Sequence, residues 1–571
     1  MRAVQSVPTK NEIQRLGSHA ESVVVPARVV SIAMPDGVQI VAAIFLPKSP
    51  RGRTGRFPAL LAASPYRFDN DIAPALPVFL WRETGPISWY LEQGYAFVHM
   101  DVRGTGRSGG KYRYMCRKEQ RDLYDLIEWI ARQKWSNGKV GGIGQSYYAR
   151  MQWFMGIQNP PHLACVAPYD GNVDTYRSSA YTGGIPGEFP TTWYRGVRLL
   201  NQEPACGPSR AVEWDYPLAV RAHPTYDAFW RERAAAENLH RIRVPVFSIG
   251  VWRKVDLHLN GNIVGYQRSG GPKKLLVFGS ANLHAAVQDY SSIAFHEKYL
   301  LPFYDRYLKG AHTGYEAEPP VRWFASGAKE LRAADAWPPE DIEYRTYYLA
   351  SGENSGPGGS VTSLNDGALV DDPPRSESKP TCYDYPDPGW RMGVVGMGPD
   401  GRPDPARRVL TFTSAPLRAE LEIAGPINLV LYAASTQTDS DFIVKLSEQY
   451  AQSAKERGKD INPRYQIVTK GWLRASHRRI DPELSTQHAP HYTHLQPQPV
   501  TPGKVYRFEI AVMPTAHRFA CGSRIRLELA NGDSSVTETV FAHEYSPAKI
   551  GRDTIFHSRR YPSQLALPVR S

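Results

Sequence analysis

The sequence has few cysteines and no long apolar run. Its five cysteines are odd in number and lie far apart, at Cys116, Cys165, Cys206, Cys382 and Cys521. No Cys-x-x-Cys pair or His/Cys cluster occurs, so neither a disulfide framework nor a metal site is expected, and no cofactor is implied. No apolar stretch approaches the ~18 residues of a membrane-spanning helix, and the first residues lack the apolar core of a signal peptide. We therefore predict a soluble cytoplasmic protein with no membrane partner.

A concentrated basic region is also absent. The chain carries a net charge of +12, from 68 Lys and Arg against 56 Asp and Glu residues. A basic protein can bind nucleic acid, but here the basic residues are spread along the sequence. We predict a solvated surface that attracts anionic substrates mildly, with no nucleic-acid partner. The sequence leaves the formation of a homo-oligomer open.

Apolar runs of strand length alternate with helical patterns in the first half of the 571 residues. A hairpin is predicted over residues 28–46, around the turn Pro35-Asp36-Gly37. Unbroken apolar strands at 57–63, 95–101 and 163–167 are typical of a parallel sheet covered on both faces. A helix is predicted at 117–133, and the alternation indicates an α/β fold.

The alternation pauses between residues 184 and 240, where a helix is predicted over 226–238. Strand patterns resume at 244–250 and 274–279, and a last helix is predicted over 291–309. We interpret the pause as a helical cap inserted into the α/β domain, whose two parts span 28–183 and 241–312. After residue 313 many short strands separated by turn residues predict a β-sandwich or jelly roll over 313–571.

One motif combines a strand, a sharp turn and a helix. The segment 139–143 is a strand pattern, and it is followed by Gly144-Gln145-Ser146-Tyr147-Tyr148-Ala149. A serine on such a turn is exposed at the sheet edge, facing the first amides of the next helix. This is the nucleophile elbow of serine hydrolases, usually Gly-x-Ser-x-Gly. Ser146 is therefore the candidate nucleophile, although Tyr148 stands where the last glycine of the motif belongs.

A serine nucleophile needs a base, an acid that orients the base, and donors for the oxyanion. In α/β-hydrolases these groups follow successive strands in the order serine, acid, histidine. His284 follows the strand that ends at Gly279, which makes it the candidate base. His258 and His296 lie nearby in helical patterns and rank below it.

The chain resembles the cocaine esterase, α-amino-acid ester hydrolase and Xaa-Pro dipeptidyl-peptidase group of serine hydrolases, the CocE/NonD type. The resemblance runs from about Val30 to the C-terminus. It rests on Ser64-Pro65-Tyr66-Arg67, the run from Asp101 to Gly110, the elbow, residues 252–261 and Asn531-Gly532-Asp533. The group's usual turn is Gly-x-Ser-Tyr-x-Gly, so Tyr148 fits it and Ala149 replaces the final glycine.

The resemblance implies an α/β-hydrolase domain with an inserted helical cap, followed by a C-terminal β jelly roll. It also implies an oxyanion hole formed by the Tyr66 hydroxyl and the Tyr147 amide, and the amide that opens a helix suits that role. Asp101 and Arg103 are expected to brace the elbow.

The acid is not placed by the resemblance. The group has it as Gly-x-x-Asp after the strand that here ends at Gly250, and this chain has Arg253 at that position. Asp256, three residues later, is the favoured acid, and Asp170 after the preceding strand is the alternative. Arg253 also disfavours a cationic substrate, and Trp153, Trp252 and Arg253 form the predicted substrate pocket.

These residues predict a serine carboxylesterase or amidase that cleaves a small-molecule ester or amide through an acyl-enzyme. A Xaa-Pro dipeptidyl peptidase is a second hypothesis, disfavoured because no carboxylate pair for a peptide N-terminus stands out. The third is a catalytically weak relative that acts as a binding protein through its jelly roll.

Overall fold

The computed structural model describes residues 26–48, 55–68, 81–202, 212–279, 290, 292–328, 330–351, 367–385, 409–453, 455, 463–533, 538 and 541–571. The chain divides into two compact units. The first contains residues 1–167, 197–214 and 287–316, and the second contains residues 168–196, 215–286 and 317–571.

The first unit contains a sheet of strands β1 to β6. In sheet order they are β1-β2-β4-β3-β5-β6. β1 pairs antiparallel with β2 and β2 with β4, whereas β4, β3, β5 and β6 run parallel. The predicted hairpin and parallel sheet are thus confirmed. The strands are β1 (Arg28–Ala33), β2 (Gln39–Phe45), β3 (Phe57–Ser64), β4 (Ala96–Asp101), β5 (Ser136–Gly142) and β6 (Leu163–Val166).

The helices of this unit follow its strands: α1 (Ile87–Glu92), α2 (Arg117–Ala131) and α3 (Tyr147–Gln158). A further helical run comprises Ile293–Phe295, His296–Leu300, Leu301–Tyr304 and Asp305–Lys309, the second and fourth pieces being π-helical. α2 buries the apolar face that its spacing predicted, at Leu123, Leu126, Ile127 and Ile130. α3 is buried from Tyr147 to Ile157, which explains why its sequence shows no polar face.

In the second unit, a two-stranded hairpin consists of β7 (Tyr181–Thr182) and β8 (Ile185–Pro186). Four further strands lie side by side in the order β9-β10-β11-β12. The first three of them are parallel, and β12 is antiparallel to β11. Helix α7 (Leu259–Arg268) links two of these strands. The strands are β9 (Val246–Val251), β10 (Lys273–Phe278), β11 (Val321–Phe324) and β12 (Leu331–Ala334).

The segment predicted as a helical insertion contains α4 (Phe189–Gln202), α5 (Tyr216–Ala222) and α6 (Ala228–Glu232). The single helix predicted over 226–238 was wrong in extent. Asp227 caps the start of α6, since its carboxylate accepts from the Phe229 amide, and the helix ends after five residues. The chain cannot continue the helix because the Ala236 amide donates to the Val173 carbonyl.

The C-terminal part of the second unit forms one large sheet, in the order β15-β22-β17-β20-β19-β18-β21-β16-β14-β13-β23. Because β23 also pairs with β17, the sheet closes into a barrel around an apolar core. The predicted β domain is therefore confirmed. Its strands are β13 (Ile342–Ser351), β14 (Gly367–Val370), β15 (Thr381–Asp384), β16 (Val409–Ser414), β17 (Leu421–Ser435), β18 (Asp441–Gln449), β19 (Tyr465–Arg474), β20 (Tyr506–Phe519), β21 (Arg524–Ala530), β22 (Arg552–Phe556) and β23 (Gln564–Arg570).

Within the described ranges, no helix combines the length and the apolar character that crossing a membrane requires.

Candidate active site

Ser146 occupies a strained turn between β5 and α3. Its backbone angles are φ 59° and ψ −117°, a region that L-residues with a side chain avoid. Every residue from Val140 to Ile157 is buried except Ser146. The turn therefore holds one hydroxyl at the surface of an otherwise closed core, which is the geometry expected of a nucleophile elbow.

Glycine is required at these positions of the turn because a side chain would not fit. Gly144 has φ +118°, and a Cβ at that position would lie 3.0 Å from the Glu83 carbonyl oxygen and closer still to the Cβ of Tyr148. A Cβ on Gly142 would lie 2.7 Å from the Gln152 Cγ. The local crowding thus explains why small residues precede the serine.

Hydrogen bonds fix the peptide groups around the turn. The Gln145 amide donates to the Glu83 carbonyl at 2.6 Å. The side chain of Gln152 donates to the Gly144 carbonyl at 3.0 Å and accepts from the Ala167 amide at 2.9 Å. In this way one buried amide joins the elbow to the end of the neighbouring strand β6.

Tyr147, the residue after the serine, begins α3, so its backbone N–H lies at the positive end of the helix dipole. Its hydroxyl donates to Glu119 at 2.5 Å and lies 3.3 Å from the hydroxyl of Tyr112. The other oxygen of the fully buried Glu119 accepts from the Met115 amide at 2.7 Å. Burial and the Glu119 carboxylate raise the pKa of Tyr147 well above its usual value, so the phenol remains a donor.

Sequence reasoning missed Glu119. It lies in the first turn of α2, where acidic residues are common because they interact favourably with the helix dipole. Nothing in the sequence distinguishes it from an ordinary exposed helix residue.

Tyr66 lies on the turn after β3, where its amide donates to Ser64 Oγ at 3.1 Å. Its ring packs edge-on against the rings of Tyr147 and Tyr148, each with a centroid distance of 6.0 Å. The structure therefore brings the rings of the two residues of the predicted oxyanion hole into contact. Their role in stabilising an oxyanion stays a prediction.

Tyr148 fills the space behind the elbow. Its hydroxyl lies 3.1 Å from Nε2 of His99, and both side chains are buried. Desolvation lowers the pKa of His99 to about 3, so the imidazole is neutral. Tyr148, which stands where the usual motif has a glycine, thus packs against His99.

Asp101 and Arg103 hold the neighbouring loops. The Asp101 carboxylate accepts from the Phe68 amide at 2.8 Å and from the Arg107 amide at 3.0 Å. Arg103 forms ion pairs with Asp122 at 2.5 Å and Asp36 at 2.8 Å. Both residues fasten loops of the first unit, and this geometry supports a bracing role.

His296 has a structural role. It is fully buried, its Nδ1 accepts from the Tyr90 hydroxyl at 3.0 Å, and its Nε2 donates to the Tyr290 carbonyl at 3.0 Å. Burial lowers its pKa to about 3. The partners of both ring nitrogens leave it no capacity to serve as a catalytic base.

The candidate acids Asp256 and Asp170 belong to the second unit. His284 lies outside the described residues. Asp256 follows β9 and the short 3₁₀ turn Trp252–Lys254, and its two carboxylate oxygens accept from Lys470 at 2.9 and 3.1 Å. Lys470 also bonds Glu538 at 2.5 Å, and Glu538 pairs with Lys445. Burial raises the pKa of Asp256, while Lys470 opposes that shift.

Asp170, the alternative acid, lies after β6 with φ 56°. Its side chain is fully buried and forms an ion pair with Lys254. Its amide donates to the Ile249 carbonyl at 2.7 Å, which fastens the loop to β9.

Of the three residues of the predicted substrate pocket, the two tryptophans are buried by packing and Arg253 is partly buried. Trp153 in α3 is 0% exposed and Trp252 is 1% exposed. The Trp252 indole donates to the Phe324 carbonyl at 2.8 Å, and Arg253 donates to the Ile467 carbonyl. A role in substrate binding stays a prediction for all three.

Comparisons with known proteins cover nearly the whole chain. The profile of the X-Pro dipeptidyl-peptidase (S15 family) matches residues 36–282. The profile of the X-Pro dipeptidyl-peptidase C-terminal non-catalytic domain matches residues 313–566. The cocaine esterase of Rhodococcus sp. is 24% identical, over 95% of this chain and 98% of its own.

Solved structures share the fold. A CocE/NonD family hydrolase from Staphylococcus aureus superposes with a TM-score of 0.78 at 24% identity, covering 95% of this chain and 93% of its own. An α-amino acid ester hydrolase superposes with a TM-score of 0.70 at 20% identity, covering 100% of both chains.

Three findings indicate the same kind of protein. They are the nucleophile elbow at Ser146, the closed C-terminal β domain and the two matched profiles. This chain is an enzyme that combines an S15-family X-Pro dipeptidyl-peptidase domain with an X-Pro dipeptidyl-peptidase C-terminal domain, and it resembles the CocE/NonD-type serine hydrolases.

Proposed function

We propose that this enzyme is a carboxylesterase that hydrolyses small-molecule esters through an acyl-enzyme on Ser146. The Ser146 Oγ attacks the acyl carbonyl while His284 takes its proton. His284 then gives that proton to the leaving alcohol as the ester C–O bond breaks. Water, activated by the same histidine, attacks the acyl-enzyme, and Ser146 and the free acid are released.

The observation that carries this proposal is the backbone of Ser146. Ser146 is strained and only partly buried, in a strand–helix junction that is otherwise buried, so packing does not explain why the strained backbone is kept. Its position next to the Tyr147 amide, and the contact of the Tyr66 ring with the Tyr147 ring, support the proposal that these two residues hold the oxyanion.

Asp256 is the acid we propose to orient His284, with Asp170 as the alternative. An ionised carboxylate offers about four acceptor sites, and the described residues occupy two of those of Asp256 with Lys470. Its side chain is also 15% exposed, whereas that of Asp170 is 0% exposed and paired with Lys254. Asp256 therefore retains both acceptor capacity and access.

The charges near Asp256 support a neutral or anionic acyl group. An aminopeptidase must hold a substrate ammonium, and the carboxylates available here are Asp256 and Glu538. Both are already bound by Lys470, and Glu538 is bound by Lys445 as well. Two lysines already neutralise Glu538, and the remaining acceptor sites of Asp256 are the ones proposed for His284, so the ester is favoured over the Xaa-Pro peptide.

The first test compares the full-length enzyme with Ser146→Ala on p-nitrophenyl esters of two to eight carbons. Labelling by a fluorophosphonate is followed in parallel by mass spectrometry, and Ser31→Ala on β1 serves as a matched control. We expect hydrolysis and labelling at Ser146 in the wild type and the control, and neither in Ser146→Ala. Labelling of another serine would refute the proposal.

The second test identifies the acid with Asp256→Asn and Asp170→Asn. Because the orienting acid sets the tautomer of the base, its loss should lower kcat by roughly 10³–10⁴-fold. A combined Asp170→Asn and Lys254→Met variant controls for the buried lysine that the single change leaves unpaired. A large loss in Asp170→Asn that persists in this combined variant, with Asp256→Asn near wild type, would assign the role to Asp170.

The substrate screen also separates the other hypotheses. Cleavage of Xaa-Pro-p-nitroanilides without ester hydrolysis would identify a dipeptidyl peptidase. Glycan binding that survives Ser146→Ala, without labelling or turnover, would identify a binding protein. A cytoplasmic location stays a prediction from the sequence.

A further inference from the structure

The second unit contains a cavity of about 490 Å³ beside helix α7. Its wall comes from α7, from the segment at Trp337, from β19 and β20 and from residues 484–494. A smaller cavity of about 280 Å³ adjoins it, since the two share Arg177, Arg268, Leu484 and His491 in their walls. The larger cavity is within the range of roughly 300–1,000 Å³ that accommodates small organic ligands.

A rigid aromatic and aliphatic surface lines much of the larger cavity. Trp337 is 5% exposed, and its ring packs against Trp252 and Trp323 at centroid distances of 5.5 and 5.6 Å. The Trp337 carbonyl accepts from Gln267 on α7 at 3.1 Å, which fastens this wall to the helix. Ile263, buried on α7, adds aliphatic surface. Such a wall suits the apolar body of a ligand.

The charged residues that line the larger cavity are all basic. Its described lining residues include two arginines, Arg177 and Arg268, and no aspartate or glutamate. Burial, with the two guanidinium groups, lowers the pKa of the lining His491 to about 4, so this imidazole is neutral near pH 7. The positive charge therefore comes from the arginines.

Arg177 is already bonded within the protein. It pairs with Asp174 at 2.6 Å, donates to the Tyr492 carbonyl at 3.1 Å, and lies 4.0 Å from the ring centre of Tyr226. These contacts fix the guanidinium as part of the wall.

Arg268 is different. It is the last residue of α7 and is partly buried, yet it forms no hydrogen bond or ion pair with any residue that the structure describes. The acidic residues of the smaller cavity have partners of their own: Asp174 binds Arg177, Glu237 accepts from Tyr226, and Asp481 accepts from the amides of Glu483 and Leu484. Arg268 lies within electrostatic reach of Asp174 and Glu237, but neither of them bonds it. The donor fork of this partly desolvated guanidinium therefore suits a carboxylate.

We propose that the larger cavity binds a small organic monocarboxylate. The carboxylate would lie on Arg268, and an aromatic or aliphatic body would lie against Trp337 and Ile263. The guanidinium fork can hold both carboxylate oxygens, which lysine cannot do. The inference does not depend on the proposed esterase activity.

The test is isothermal titration of the full-length enzyme with 4-phenylbutyrate and with the neutral 4-phenylbutan-1-ol. We expect saturable binding of the acid and at least about tenfold weaker binding of the alcohol, because hydrogen bonds between charged groups contribute that much affinity. Arg268→Gln should weaken the acid by about tenfold or more, and Arg268→Lys by less. Arg198→Gln, an exposed arginine of α4, removes the same charge and should leave binding unchanged.

Two further arms locate the ligand. Ala489→Phe fills the cavity with a larger side chain and should abolish binding, with circular dichroism as the check of folding. Enzyme phosphonylated by diisopropyl fluorophosphate should bind the acid as before. Absence of saturable binding, equal affinity for acid and alcohol, wild-type affinity in Arg268→Gln or Ala489→Phe, or loss of binding on phosphonylation would each overturn the proposal.

Discussion

The strain at Ser146 can be measured by comparing two inactive variants. Ser146→Ala and Ser146→Gly both remove the nucleophilic oxygen, but only glycine removes the Cβ that makes φ 59° and ψ −117° costly. Strain of this kind costs about 1–3 kcal/mol, and the extra chain entropy of glycine offsets about 0.5–1 kcal/mol of the relief. Taking the middle of both ranges, we expect Ser146→Gly to be more stable than Ser146→Ala by about 1 kcal/mol.

The assay is differential scanning calorimetry of the transition that reports the first unit. For a unit of about 200 residues, 1 kcal/mol corresponds to a shift in Tm of about 2–4 °C. Ser146→Gly should therefore melt roughly 2–4 °C above Ser146→Ala, and neither variant should hydrolyse an ester.

A glycine placed in the regular helix provides the control. Ala149→Gly in α3 should lower the Tm, because glycine in a helix interior costs about 0.8–1 kcal/mol relative to alanine. If Ser146→Gly melts at or below the Tm of Ser146→Ala, the backbone at the elbow is not strained and the argument for a nucleophile from its geometry fails.

Three further predictions concern the first unit. Gly144→Ala should destabilise it by more than about 2 kcal/mol and abolish turnover, since the added Cβ has no room; wild-type urea unfolding would contradict this. Glu119→Gln and Tyr147→Phe should each lower kcat with little change in KM. Their double-mutant cycle should show a coupling of about 1.5–3 kcal/mol in the free energy of unfolding. Additive effects would show that the hydrogen bond between Glu119 and Tyr147 does not support the oxyanion donor. His99 and His296 have folded pKa values of about 3, so the unfolded chain binds more protons below about pH 6.5. Stability should therefore fall by about 2 kcal/mol for each imidazole as the pH drops from 7 to 5, with the slope approaching about 1.4 kcal/mol per pH unit at the acidic end. His296→Gln should reduce the slope of stability against pH by about half. A Tm that does not change between pH 7 and pH 5 would refute the low pKa values of the two histidines.

The sequence was sufficient for the features encoded in contiguous residues. The parallel strands were visible as unbroken apolar runs because both of their faces are covered. The elbow was visible because its glycines, serine and following helix are adjacent in the chain. The helix predicted over 226–238 was less successful, since a hydrogen bond from Ala236 to the distant Val173 ends the regular pattern.

Tertiary structure decided which side chains share a partner. The sequence placed Trp153 and Trp252 in the predicted substrate pocket, yet both side chains are fully buried by packing. Glu119 looked like a helix-start carboxylate, and only the fold places it against Tyr147, 28 residues away.

The contrast is clearest at Asp256. Its place after a strand follows from the sequence, whereas its bond to Lys470 joins residues 214 positions apart. Apolar periodicity and turn residues act over a few neighbouring peptides, so one sequence reveals them directly. Charge pairing depends on which segments the folded chain brings within a few ångströms, and that is determined only when the whole unit packs.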